Sequence, residues 1–102
     1  QTVRTPLTIE QIQLAVGKYF DVPVDLLRGK SRRQEIVVPR QIAMYLAKEL
    51  THSSLKTIGL HFGGRDHSTV IHACQTVEET VRKDETQKQR IDALRKMIEL
   101  QS

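Results

Sequence analysis

Two adjacent glycines, Gly63 and Gly64, restrict the fold of this chain more than any other feature. Apolar residues recur at roughly helical intervals on both sides of the pair, at Leu55, Ile58, Leu60 and Phe62 before it and at Val70, Cys74, Val77 and Val81 after it. Because glycine takes positive φ without steric penalty, the pair can end one helix and turn the chain sharply into the next. The segment therefore predicts a helix-turn-helix.

The residues directly after the glycines are polar and precede the apolar positions of the second helix. Asp66 stands three residues before Thr69, which is the spacing of an N-cap. A helix N-terminus favours phosphate oxygens through its free N–H groups and its dipole. Donors and acceptors at that end are what a helix needs to meet base edges in the DNA major groove. The pattern predicts a recognition helix over residues 67–82.

Asp66 has two compatible roles at the start of this helix. It can cap the helix, and it can accept a hydrogen bond from a cytosine amino group in the major groove. Both roles can hold together because a carboxylate has two oxygens. His67 and Ser68 can reach base edges or a thymine methyl group, whereas Thr69 and His72 are better placed for backbone phosphates.

Helical patterns account for most of the remaining chain. Thr8 and Gln11 have the spacing of a capping box at the start of the first helix. Pro39 is expected within the first turn of the third, where its missing N–H has no helical partner, and Ser53 is expected to cap the fourth. Helical segments are also expected over residues 23–27, 35–50, 54–61 and 84–102. We predict an all-α, compact domain of about five to six helices over residues 8–102, with residues 1–7 as the end of a linker.

Basic residues concentrate around the helix-turn-helix. Between Arg28 and Arg65 eight basic residues stand against two acidic ones, a formal charge of +6, while the remaining residues carry −2 of the total of +4. Such a concentration is typical of a surface that contacts phosphates. A solvated, soluble surface explains the count equally well, so charge alone leaves both interpretations open.

The chain shows no pattern typical of an enzyme, a metal site or a membrane segment. His67 and His72 are five residues apart, so one helix does not place them on the same face, and Cys74 is the only cysteine. No phosphate-binding loop and no long apolar run are present. With two Tyr, two Phe and no Trp, stacking platforms for single strands are scarce, which favours duplex DNA. We expect no catalytic residue, metal or cofactor in this chain.

The run Gly-Gly-Arg-Asp-His-Ser-Thr-Val-Ile-His over residues 63–72 resembles the signature of the DNA-binding domain of DnaA, the bacterial replication initiator. The resemblance extends through the run Pro-Arg-Gln-Ile-Ala-Met-Tyr-Leu-Ala-Lys-Glu-Leu-Thr over residues 39–51, and covers about residues 8–83. Where the family usually has Thr, this chain has Ser68, which lacks the methyl group. Many members have Pro where this chain has Lys56, and the lysine favours a phosphate contact there.

The resemblance implies that Arg32, seven positions before the Pro-Arg-Gln run, enters the minor groove, where a narrow A·T-rich groove attracts a guanidinium group. Base contacts are expected from Arg32, Leu55, Asp66, His67 and Ser68. Phosphate contacts are expected from Lys30, Arg33, Arg40, Gln41, Lys48, Lys56, Arg65, Thr69 and His72. Arg40, Gln41 and Lys48 lie off the apolar stripe of their helix, and ordinary surface positions are the alternative for them.

The function implied by the resemblance is sequence-specific binding of double-stranded DNA at DnaA boxes of a bacterial replication origin. An AAA+ ATPase domain, which would use ATP and magnesium, is expected in a part of the protein absent here. This piece is expected to be monomeric and cytoplasmic, associated with the nucleoid, and the full-length protein to assemble on origin DNA. The alternatives are a transcription-regulator helix-turn-helix and a helical module that binds proteins.

Overall fold

The computed structural model describes residues 7–100, and these residues form helices without any strand. Six helices follow one another, α1 (Ile9–Phe20), α2 (Val24–Arg28), α3 (Gln34–Thr51), α4 (Leu55–His61), α5 (His67–Lys83) and α6 (Glu85–Leu100). The predicted all-α fold with a helix-turn-helix is confirmed, α4 and α5 being its two helices. Residues 1–6 of the predicted linker lie outside the described residues, and Leu7 packs against the core.

The start of α1 is fixed by the predicted capping box. The Thr8 hydroxyl accepts a hydrogen bond from the Gln11 N–H at 3.1 Å, and the Gln11 side chain accepts one from the Thr8 N–H at 2.9 Å. Two N–H groups that have no partner inside the helix are thereby satisfied. The helix ends at Phe20, and the next residue, Asp21, adopts a left-handed conformation with φ of 57° two residues before Pro23.

The prediction that Pro39 lies in the first turn of its helix is wrong. The helix α3 begins at Gln34, so Pro39 is its sixth residue and lies in the second turn. At that position proline removes the hydrogen bond to the carbonyl group of Glu35. Glu35 is exposed, so water can reach that end of the helix, whereas Pro39 itself is buried.

The cap of α4 is Ser54 rather than Ser53. The Ser54 hydroxyl accepts a hydrogen bond from the Thr57 N–H at 3.1 Å. The Ser53 hydroxyl instead lies 2.7 Å from that of Thr51, at the end of the preceding helix. Two adjacent serines offer the same chemistry, and the fold determines which of them precedes the first helical residue.

All six helices contribute to one apolar core. The largest fully buried side chains come from every helix and from the turn, and include Ile12, Val16, Leu27, Met44, Leu46, Ile58, Phe62, Val70, Leu94 and Ile98. The helix-turn-helix is part of this core, because Ile58, Phe62 and Val70 have no exposed surface. Leu60, one of the apolar residues before the glycines, is 63% exposed and lies outside it.

Candidate nucleic-acid interface

The turn between α4 and α5 is organised by one carbonyl group. The Gly59 carbonyl accepts hydrogen bonds from the N–H groups of Phe62, Gly64 and Arg65, at 3.1, 3.1 and 3.0 Å. Gly63 and Gly64 adopt the positive φ predicted for them, 84° and 77°. A Cβ atom on Gly59 would lie 2.0 Å from the Arg65 carbonyl oxygen, so only glycine fits there. The two helices are thus held at a fixed angle.

Asp66 caps α5 as predicted. Its Oδ1 atom accepts hydrogen bonds from the N–H and the hydroxyl of Thr69, at 2.9 and 2.8 Å. These two bonds, first that from the Thr69 backbone, lower the pKa of the Asp66 carboxyl group, so it is charged at neutral pH. Because both bonds end on Oδ1, the second carboxylate oxygen can accept from another donor.

The first two turns of α5 present an exposed polar surface. The side chains of His67, Ser68, Thr69 and His72 are all exposed, whereas Val70 and Ala73 face the core. Ser68 and His72 are four residues apart and therefore share one face of the helix. This end of α5 is free to approach a ligand such as a DNA groove.

Arg40 is buried, which corrects the prediction that it lies on the surface. Its side chain is only 5% exposed, and it donates hydrogen bonds to the carbonyl groups of Leu27 at 3.0 Å, Ser31 at 2.8 Å and Leu26 at 3.1 Å. Burial lowers its pKa from the usual value of an arginine. The carbonyl groups compensate the charge, because a guanidinium group offers several donors in one plane.

Arg65 connects the helix-turn-helix to the loop before α3. The half-buried guanidinium group donates one hydrogen bond to the Phe62 carbonyl in its own turn and one, at 2.9 Å, to the Gly29 carbonyl. Burial also lowers the pKa of Arg65. The residue predicted to hold a phosphate therefore also joins two segments that are 36 positions apart.

The structure brings the basic loop and the turn between α4 and α5 together in one cleft. A shallow cleft of about 310 Å³ is lined by Lys30, Ser31, Arg32, Val37, Arg40, Gly63, Gly64 and Arg65. Lys30 and Arg32 are exposed at its edge. Arg32, predicted to enter the minor groove, thus lies beside the turn that leads into α5, the helix predicted to enter the major groove.

A search of protein families matches residues 9–77 to the helix-turn-helix of the bacterial dnaA protein. The match covers more than half of the chain and includes the basic loop, α4 and α5 as far as residue 77. The chain belongs to this family. The prediction from the sequence is therefore confirmed for the family and for the fold.

Curated relatives and a solved structure agree with this assignment. The chromosomal replication initiator protein DnaA of Chlorobaculum tepidum is 56% identical over 96 residues, which are 94% of this chain and 20% of that protein. The DnaA protein of Lactobacillus delbrueckii subsp. bulgaricus is 48% identical over 93 residues, 91% of this chain and 20% of that protein. A crystal structure of a DNA replication initiation factor superposes with a TM-score of 0.81 at 33% identity, covering 88% of this chain and 27% of that one.

The chain thus spans about one fifth of the length of the DnaA proteins that it matches. Across residues 7–100, no helix combines the length and the apolar character needed to cross a membrane. The same residues contain no cluster of three or more His, Cys, Asp or Glu that could hold a metal ion.

Two of the predicted phosphate contacts lie away from the cleft, on either side of α5. Lys48 is exposed and shares a depression with Cys74 and Glu78. Gln41 is half-buried in a groove with Thr76 and Thr80. The pairs 74/78 and 76/80 lie on different faces of α5, so the helix separates Gln41 from Lys48.

The remaining predicted contacts lie on or near the exposed surface. Lys56 is exposed in the first turn of α4, and Leu55 is half-buried against the core. Arg33 is exposed and forms an ion pair with Glu35 at 2.7 Å. That pair is weak in water, so the Arg33 guanidinium can exchange it for a phosphate.

Sequence reasoning missed Gln13, which supports the site from behind. It has no exposed surface, and it donates to the His61 carbonyl at 2.8 Å and accepts from the Arg28 Nε–H at 3.0 Å. Gln13 thereby links α1, the end of α4 and the residue before the basic loop. The available signal was a polar residue at a position of α1 whose helical spacing from Ile9 and Val16 predicts burial.

Proposed function

We propose that this chain binds double-stranded DNA sequence-specifically and anchors a replication initiator to DnaA boxes at a bacterial origin. The observation that carries the proposal is the shared cleft, which joins the basic loop of Arg32 to the turn that leads into α5. A helix end alone binds anions of many kinds. An arginine loop beside it matches two adjacent grooves of one duplex.

In this proposal the two grooves are read by different elements. The N-terminal end of α5 enters the major groove, where the free oxygen of Asp66 accepts from a cytosine amino group and His67 and Ser68 meet neighbouring base edges. Arg32 enters the adjacent minor groove at an A·T-rich step, where the negative potential is strongest. Leu55 approaches the bases from the start of α4.

The phosphate contacts surround these base contacts. Polar and charged side chains near the cleft and on α3, α4 and α5 fix the position of the protein without reading sequence. The proposed set is Lys30, Arg33, Gln41, Lys48, Lys56, Arg65, Thr69 and His72. Gln41 and Lys48, on opposite sides of α5, would hold α5 over the groove from both flanks.

At the level of the whole protein, we extend the proposal to an initiator whose ATPase domain, with ATP and magnesium, lies outside this chain. The DNA-binding part itself then needs no cofactor and acts as a monomer in the bacterial cytoplasm, at the nucleoid. Assembly on the origin belongs to the longer protein. The names of the DnaA relatives, and the one fifth of their length that this chain covers, support the view that this chain is part of a longer initiator.

Duplex selection on the purified chain tests the proposal. We expect selection to enrich one short A·T-containing motif, and fluorescence anisotropy to give an affinity about 10³-fold higher for that motif than for a shuffled duplex. Equal affinity for both duplexes would reject sequence-specific binding. An affinity that does not depend on salt would favour a protein-binding module instead, because phosphate contacts release counterions.

A further inference from the structure

The buried guanidinium group of Arg40 is directed entirely at the backbone of one short segment. Its Nε, Nη1 and Nη2 atoms each donate to a different carbonyl group, of Leu27, Ser31 and Leu26. Leu26 and Leu27 lie in the last turn of α2, where helix carbonyl groups have no partner inside the helix and carry the negative end of the dipole. Ser31 directly precedes Arg32.

Two further side chains, of Arg65 and Gln13, form hydrogen bonds with the same segment. Arg65 donates to the Gly29 carbonyl at 2.9 Å, and the buried Gln13 side chain accepts from Arg28 at 3.0 Å. Four carbonyl groups between residues 26 and 31 are thus held by two arginines that lie outside the segment, Arg40 in α3 and Arg65 before α5. The loop that carries Arg32 is fixed to the scaffold before any DNA is present.

From this arrangement we infer that Arg40 is a positioning residue, which holds the Arg32 loop in the conformation that reads the minor groove and does not itself bind a phosphate. The inference rests on the proposed function. A loop that is ordered in advance loses less conformational entropy on binding. The resulting gain in affinity is largest for contacts that need a defined geometry. Those are the base contacts of Arg32.

A phosphate contact by Arg40 would compete with this arrangement. Three of the five N–H groups of the guanidinium already donate to carbonyl groups, and because the residue is only 5% exposed the other two offer little surface to a phosphate. A movement of the side chain out of this position toward a phosphate would break one or more of these bonds, at the cost of a buried hydrogen bond each.

The variant Arg40→Lys tests the inference because it keeps the charge and removes the planar fork. An ammonium group cannot span three carbonyl groups in the same geometry. We expect affinity for the selected motif to fall on the order of tenfold, while affinity for a shuffled duplex and the salt dependence stay unchanged. Arg82→Lys is the matched control; since Arg82 is exposed in the last turn of α5 and is not among the proposed contacts, that exchange should change neither affinity by more than about twofold.

A double-mutant cycle with Arg32→Ala separates positioning from a general structural role. If Arg40 acts through Arg32, then Arg40→Lys should have little effect, less than about twofold, on a protein that already lacks the Arg32 side chain. A merely structural role would give the same loss in both backgrounds. Additive losses would therefore overturn the inference, and so would wild-type affinity of Arg40→Lys for the motif.

The wild-type protein provides a measurement that does not depend on the folding of a variant. In NMR spectra, the Nε–H signal of Arg40 should exchange slowly with water and keep its position when motif DNA is added. A large shift of that signal on adding DNA would show a phosphate contact and reject the positioning role. The proposed function and the positioning role of Arg40 can fail separately. A wild-type protein that prefers no motif would reject the proposed function, whereas a wild-type protein that prefers one motif but shows the shift would reject only the positioning role.

Discussion

Four arginines near the helix-turn-helix look alike in the sequence and differ in their surroundings. Arg32 and Arg33 are exposed, Arg65 is half-buried and Arg40 is buried among carbonyl groups. An arginine compensated by backbone carbonyls stabilises the fold, whereas an exposed one remains available to a ligand. Burial therefore decides which of these arginines can read DNA.

At the residue scale, we predict that Arg32→Ala weakens binding to the selected motif by about 1–3 kcal/mol and relaxes the preference at its A·T end. The guanidinium group is lost from the minor groove, and the fold is unaffected because the side chain is exposed. Affinities for single-base variants of the motif measure this. An unchanged preference profile would remove Arg32 from the base-reading residues.

A second prediction at this scale concerns pH and Asp66. Because hydrogen bonds from Thr69 lower the pKa of Asp66 in the folded protein, the charged cap stabilises α5 above the unfolded pKa of about 4 and this stabilisation is lost as the pH falls below it. Asp66→Asn keeps a capping oxygen without the charge. We expect the Tm of the wild type to fall more than that of Asp66→Asn between pH 5 and pH 3; parallel declines would contradict the capping role of the charge.

At the scale of the element, the angle between α4 and α5 depends on backbone contacts that admit no side chain. Gly63 and Gly64 share a positive φ but differ in the space around them. A Cβ atom on Gly63 would lie 2.4 Å from the Arg28 carbonyl oxygen, whereas one on Gly64 would meet nothing within 4 Å. Only Gly63 is therefore pressed against the segment before the basic loop.

We predict that Gly64→Ala lowers the free energy of unfolding by about 1–2 kcal/mol, the expected cost of a left-handed conformation for a residue with a Cβ atom. Gly63→Ala should lower it by clearly more, since the Cβ atom also displaces the Arg28 carbonyl group. Urea unfolding followed by circular dichroism compares the two variants. Equal losses would mean that the backbone angle alone limits both positions.

At the scale of the whole molecule, the basic residues are distributed unevenly over the surface. The segment between Arg28 and Arg65 carries the positive excess, and its exposed cations lie at the cleft and on α3 and α4. The helix α6 packs on α1 and α5 and mixes both signs, with Arg95 paired to Glu49 at 2.7 Å. We therefore expect long-range attraction for a polyanion to be strongest on the side that carries this cleft.

We predict that the logarithm of the affinity for DNA falls with the logarithm of the salt concentration with a slope of about −4 to −5, as expected for about five neutralised phosphates. Lys56→Met should reduce the slope by about one. Lys96→Met, on the exposed surface of α6, is the matched control and should leave it unchanged. Equal effects of the two variants would show that net charge alone, rather than a defined face, determines binding.

Local patterns made much of this protein predictable from its sequence. The capping box at Thr8, the Asp66 cap, the two glycines with positive φ and the six helices depend on neighbours within about one turn. The family signature over residues 63–72 is likewise local, since it is a continuous run of the sequence. Properties that depend on short separations are encoded in spacing and residue type.

Only the tertiary structure decided which polar side chains support the site. The partners of Arg65 and of Gln13 lie 36 and 48 positions away, and Arg40 reaches carbonyl groups 9 to 14 positions before it. The packing of α2 and α3 buries Arg40, and α5 separates Gln41 from Lys48. A backbone carbonyl carries no sequence signature, so a side chain that binds one across the fold looks like any surface residue until the helices are packed.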